Sequence, residues 1–208
     1  MASTYTFRFS VLLSLLLVSL LGVKAEVPQA CSNYECPTYD VIEVKKDYEI
    51  RRYNSTVWIS SDPIEDTSVV EATKTGVKRL FSYIHGNNSQ KKEIKMTSPV
   101  ATEVSNGSGG KSSYVVSFYV PKVNQGNIPT ADGLSVQRWK TKYAVVKQFG
   151  GFVRESVVAD QVNALKASIA GTKWSTKLPK SFTVAQYNAP FELFHRVNEI
   201  WFLYDSEN

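Results

Sequence analysis

Lys92-Glu-Ile-Lys-Met-Thr-Ser-Pro-Val100 lies near the middle of the 208-residue chain, and the rest is best read outward from it. It opens a strand-like run from Ile94 to Val104, in which Met96 reads as core filling. Upstream, a helical segment ends in Leu80-Phe-Ser-Tyr-Ile-His-Gly86, and before it lie Tyr48-Glu-Ile-Arg-Arg-Tyr53 and Trp58. Downstream, Val116, Phe118 and Val120 alternate along Tyr114 to Val120, the signature of a strand with one buried face. Tyr143, Val145 and Phe149 do the same, with Lys147 as the exception. Phe149-Gly-Gly-Phe152, the strand Phe182 to Tyr187 and Asn198-Glu-Ile-Trp-Phe202 within Glu199 to Tyr204 complete the pattern.

The chain repeats itself weakly. Val77, Leu80 and Ile84 share one helix face, and Val162, Leu165 and Ile169 share another, each pair 85 residues apart. Gly86 and Gly171 share that offset, each placed to end its helix in a left-handed conformation. Ser68-Val-Val-Glu71 fits a capping box at the start of the first helix. Asn106 to Ser113 reads as a flexible hairpin loop, and Asn124 to Gly133 as the link between halves. Each half then runs strand, helix, strand, strand, over about 38–122 and 134–204. Helices segregated on an antiparallel sheet give an α+β fold. The expectation is about eight antiparallel strands and two main helices in a single domain over residues 26–208.

Taken together and in this order, these segments resemble the SOUL haem-binding protein family over roughly Tyr34 to Tyr204. The resemblance implies a distorted antiparallel β-barrel of about eight strands flanked by two main helices, similar in build to bacterial effector-binding domains, and a tetrapyrrole as ligand. It implies that the ligand lies beside the first helix, with basic residues near the positions of Lys74 and Arg79. It places a mobile loop at Tyr187-Asn-Ala-Pro-Phe-Glu-Leu-Phe194, against the haem cleft. In some members a histidine proposed as iron ligand sits where this chain has Arg52, and arginine has no lone pair to give.

Residues 1–25 read as a secretory signal peptide: Arg8, an apolar run from Phe9 to Val23, and small residues before cleavage after Ala25. The run is short of the roughly 20 residues that span a bilayer, so no stable membrane insertion is expected. Its removal leaves 22 basic against 19 acidic residues, a spread net charge of +3 that makes no case for nucleic acid. Cys31 and Cys36 would pair in an oxidising compartment; the sharper reading is a redox or metal pair, but a metal site needs about four ligands and the chain has no other cysteine. Asn54, Asn87 and Asn106 head glycosylation sequons at expected turns.

Catalytic signatures are missing: the sequence holds no nucleophile elbow, zinc-protease helix, phosphate loop or dinucleotide fingerprint. Binding is better motivated. Val77, Phe81 and their stripe offer apolar surface, and Lys74, Lys78 and Arg79 offer cations for ligand carboxylates. The plain alternative is that the stripe faces the core and the lysines face water. Pro190, Phe191, Leu193 and Phe194 offer a second apolar wall, unless that loop folds back on the core. His85 and His195 are the weak candidates for iron; ending a helix, His85 also has a plain role against the helix dipole. Arg196 and Glu199 are close enough in sequence to form a buried pair or a ligand contact.

The expectation is therefore a secreted, monomeric binder of haem or another tetrapyrrole that sequesters or carries the ring without chemistry. An enzyme acting on tetrapyrroles or another bulky apolar substrate is the first alternative, and an extracellular interaction module with no small ligand the second. Signal peptide, cysteine pair and motifs together resemble the secreted plant branch, with the extracellular space, cell wall or vacuole as destination.

Overall fold

Period-two patterning becomes one curled antiparallel sheet in the computed structural model, which describes residues 28–205; the expected signal peptide lies outside them. The strands are β1 (Tyr39–Val44), β2 (Glu49–Asn54), β3 (Val57–Ser61), β4 (Ile64–Asp66), β5 (Val100–Asn106), β6 (Ser112–Tyr119), β7 (Leu134–Arg138), β8 (Thr141–Gly150), β9 (Phe182–Gln186) and β10 (Val197–Tyr204). The two main helices are α1 (Val69–Ile84) and α2 (Glu155–Ser168). The order across the sheet is β1-β2-β8-β10-β9-β5-β6-β3-β7, with β4 paired to β6. The fold is an α+β distorted half-barrel with two helices, of ten strands rather than about eight.

The internal symmetry is legible in this order. From the central β5–β9 pair, one arm runs β6, β3, β7 and the other β10, β8, β2. The unit β3-α1-β5-β6 thus recurs as β8-α2-β9-β10, and the strand before each unit crosses to the other half: β2 pairs with β8 and β7 with β3. The stretch from Tyr48 to Ile59 holds two strands. Ser55 takes a left-handed conformation (φ 53°) and splits it into β2 and β3. Nor is Ile94 to Val104 one strand: β5 begins only at Val100, after a cis Ser98–Pro99 bond.

Alternation along the strands sorts side chains between two faces. On the helix side, Leu80, Tyr83 and Ile84 of α1 pack on Ile59, Val116 and Phe118. Val158, Val162 and Leu165 of α2, with Ile169, pack on Val145, Val184 and Ile200. The inner face is aromatic, with Tyr53, Trp58, Tyr119, Tyr187 and Trp201 set over Ala101, Ala144 and Ala185. The Cys31–Cys36 disulfide (S–S 2.10 Å) and Tyr39 pack against that cluster.

Local chemistry sets the position of α1. Ser68 caps it, its hydroxyl accepting from the Glu71 N–H at 3.2 Å, and Gly86 follows its end at φ 91°. Only half of the expected capping box forms: the Ser68 N–H donates to Asp66 Oδ1 (2.9 Å), while the Glu71 carboxylate turns to Lys74. Gly76 lies on the buried face, where an added Cβ would sit 2.3 Å from Val116 Cγ2. The helix can approach β6 this closely only because the side chain is absent.

Candidate functional site

The outward face of α1 carries the candidate residues in a single strip. Lys74, Lys78, Phe81 and His85 are spaced four, three and four apart, which stacks them on one side of a helix. All four are exposed, Phe81 at 51 %. Val77 is half-buried at the strip's edge, and Arg79 is exposed beside it. Lys74 Nζ meets Glu71 Oε2 at 3.4 Å, a pair too exposed to neutralise it firmly. Leu80 and Ile84, by contrast, are in the core, so the apolar stripe is divided: most of it packs on the sheet and Phe81 stays outside.

His85 ends the strip and caps the helix. Its Nδ1 lies 2.8 Å from the Phe81 carbonyl oxygen, which also accepts the His85 backbone N–H at 3.2 Å. The ring is packed against Phe81, with centroids 4.2 Å apart and planes tilted by 40°. This is the plain capping role expected of a histidine at a helix end.

The segment Lys92 to Pro99 is a strap rather than a strand. The Ile94 N–H donates to the Ile84 carbonyl (2.8 Å), and Glu93 bridges His85. Thr97 Oγ1 donates to the Tyr119 carbonyl (2.7 Å), and Ser98 Oγ to the Tyr187 carbonyl (3.1 Å). The strap thereby ties the end of α1 to the base of the β9–β10 loop. Met96 faces the α1 core cluster, as a filler should.

That loop does not fold back on the core. Phe191, Leu193 and Phe194 are 79 %, 60 % and 80 % exposed, and Pro190 is exposed as well. Arg196 holds the turn beneath them by donating to the carbonyls of Ala189 (2.8 Å) and Glu192 (2.7 Å), and it lies over the Phe152 ring at 4.6 Å. His195 is exposed in a left-handed conformation (φ 51°).

The sequence reading missed a charge cluster on the inner face. Arg51 and Glu199 are 1 % and 0 % exposed and form a two-bond fork, NH1 to Oε2 at 3.0 Å and NH2 to Oε1 at 2.8 Å. Arg51 also pairs with Glu49 and lies 4.3 Å from the centre of the Tyr39 ring. Glu199 accepts further bonds from Tyr187 Oη (2.8 Å) and Trp201 Nε1 (2.7 Å). Burial holds the Tyr53 and Tyr187 phenols well above their ordinary range, and the Glu199 carboxylate reinforces both shifts. Burial also raises Glu49, against the pull of Arg51. The charges of this network are buried and paired with one another, while the Tyr39 hydroxyl beside them is buried without a hydrogen-bond partner among the described residues. Glu199 thus pairs with Arg51 and not with Arg196. Arg52 is half-buried and bound to Asp40 (2.8 Å).

Two shallow cavities, of about 210 and 240 Å³, lie near α2 and at the open end of the inner face, and neither is lined by a residue of α1. The α1 strip is an open surface. Asn54, Asn87 and Asn106 are all exposed.

The profile of the SOUL heme-binding protein family matches residues 34–203. The chain belongs to that family. Heme-binding protein 2 of Homo sapiens is 32 % identical over 164 residues, covering 77 % of this chain and 79 % of the human one. Heme-binding protein 1 of Sus scrofa is 24 % identical over 140 residues, covering 65 % and 73 %. Among solved structures, the EcmrR C-terminal domain superposes with a TM-score of 0.56 at 11 % identity, covering 81 % of this chain and 99 % of that domain. A hydrolase from Listeria innocua gives 0.51 at 10 %, covering 77 % and 93 %. At such identities these two matches show the fold alone.

Proposed function

We propose that this protein binds haem or a related tetrapyrrole on the outward face of α1 and sequesters or carries it without chemistry. Family membership and the names of the relatives supply the ligand class. The observation that carries the placement is the exposed strip of Lys74, Lys78 and Phe81 with Val77 at its edge. A tetrapyrrole carries two carboxylates on one rim of a flat apolar ring. Lysines suit the carboxylates as charge-assisted donors, and Phe81 and Val77 suit the ring. Arg79 adds a third cation on the adjoining face. The exposed Phe191, Leu193 and Phe194, with Pro190, are the second apolar surface the ligand would use. An open strip, rather than an enclosed pocket, suits reversible capture.

Export fits the same reading. The pattern of residues 1–25, the Cys31–Cys36 disulfide and three exposed sequons all belong to the secretory pathway. The destination is the extracellular space or cell wall, or a vacuole, and at least one of Asn54, Asn87 and Asn106 carries glycan. The direct test is titration of the exported protein with hemin and with metal-free protoporphyrin. A saturable shift of the ligand's main absorption band with tryptophan quenching at micromolar concentration is expected. No spectral change with either ligand would reject the proposal.

A further inference from the structure

We infer that His85 is the protein ligand to the iron of a haem held on α1, with Nε2 as the donor atom. The inference rests on the haem reading just proposed and assigns its metal contact. A carbonyl oxygen can only accept, so the 2.8 Å contact between Nδ1 and the Phe81 carbonyl requires the proton on Nδ1. In the neutral form of the ring that tautomer has its lone pair on Nε2. A histidine whose Nδ1–H is held by a backbone carbonyl is in the state that metal ligation uses. The ring is also held in place, packed against Phe81 at 4.2 Å and carried by a backbone N–H that caps the helix. Little orientation would have to be lost on binding.

Position along the helix supports the same assignment. His85 closes the strip that Lys78 and Lys74 share. Seven and eleven residues separate them from it, or about 10 and 16 Å along the axis at the helical rise. A ring whose iron sits at His85 would therefore extend its carboxylates back along the strip, within reach of the long lysine stems, over Phe81. The other donors are worse placed. His195 is exposed, but its ring has no hydrogen bond among the described residues to fix it. Both cysteines are in the disulfide. Met96 faces the core cluster, and Arg52 is occupied by Asp40.

The test compares the exported protein with its His85→Ala and His195→Ala variants, each titrated with hemin and with metal-free protoporphyrin. Circular dichroism confirms that the variants fold, as substitution at these exposed positions should allow. For His85→Ala we expect hemin affinity to fall by roughly tenfold or more. The absorption and electron paramagnetic resonance signature of imidazole-bound ferric haem should vanish, and added imidazole should restore it. Affinity for metal-free protoporphyrin should stay within about twofold of wild type, since no iron bond is at stake. His195→Ala should behave as wild type throughout. A His85→Ala complex with unchanged hemin spectrum and affinity would overturn the assignment while leaving haem binding intact. Loss of the signature in His195→Ala would overturn it in favour of that residue. Failure of wild type to bind either ligand would remove the haem reading itself, and the assignment with it.

Discussion

Arg51 and Glu199 are the residues on which the inner face depends most. Each is buried, and they form a two-bond fork; Arg51 also holds Glu49 and the Tyr53 hydroxyl, and Glu199 also accepts from Tyr187 and Trp201. Removing Glu199 takes the fork from a buried guanidinium and leaves it with Glu49, against a cost of about 3–5 kcal/mol for a buried charge left wholly unpaired. Glu199→Gln should therefore lower the urea midpoint strongly at unchanged slope; a loss under about 1 kcal/mol would show that water reaches the pair. Arg196, the partner expected for Glu199, is excluded by spacing. Arg196 and Glu199 are three apart, so an extended chain directs them to opposite faces. Tyrosines on and beside this face set a pH limit. Burial keeps the Tyr53 and Tyr187 phenols above the ordinary value of 10.0, and pushes Tyr204 up to about 12. In the unfolded chain these groups release protons from about pH 10, while the folded chain holds them. Their contribution is full below pH 10 and is lost as pH rises through 12. Denaturant midpoints measured from pH 9 to 12 should fall across that window, and the three phenols should ionise only as the protein unfolds. Their ionisation in the folded state near pH 10 would contradict the burial argument.

Helix α1 is where element-scale reasoning succeeds and where it stops. Periodicity located the helix, its Ser68 cap and its Gly86 stop, because capping and left-handed glycine are local chemistry. It did not divide the stripe between Leu80 and Ile84 inside and Phe81 outside, because that depends on how the helix rolls against β6. Gly76 sets that roll. Gly76→Ala gains up to about 1 kcal/mol of helix propensity but drives a methyl into Val116, a clash of typically about 1–3 kcal/mol. The variant should be less stable in urea melts despite the better helix former; a more stable variant would show that α1 can lift off without loss. The β9–β10 loop makes the opposite case. Its exposed large side chains support little structure, so replacing Phe191, Leu193 and Phe194 by Ser should change stability by no more than about 0.5 kcal/mol each. A cooperative loss well beyond that sum would mean the loop packs on the body in solution.

Over the whole molecule, the duplication explains both what was readable and what was not. The 85-residue offset carries β6 (112–119) onto β10 (197–204), so the repeat survives in the chain itself. The exchange of β2 and β7 between halves is invisible locally, since strand pairing partners are not encoded in a strand's own pattern. The strap from Lys92 to Pro99 reads as a strand from Ile94 onward, and only the tertiary bonds to Ile84, Tyr119 and Tyr187 make it a tie between α1 and the loop. The ligand surface follows the same division: the sequence placed its cations and aromatics on one helix, and the fold decided that they face water. The disulfide pins the segment beside the aromatic face, and replacing Cys31 and Cys36 by Ser should cost about 2 kcal/mol on the chain-entropy account, read as a lower urea midpoint. The most direct measurement of the central claim is the hemin affinity of the Lys74→Ala/Lys78→Ala/Phe81→Ala triple variant against wild type. Because the strip is exposed, the variant should keep its fold and lose at least about tenfold in affinity, near 1.4 kcal/mol. An unchanged dissociation constant in a folded triple variant would place the ligand elsewhere on the protein and contradict the account.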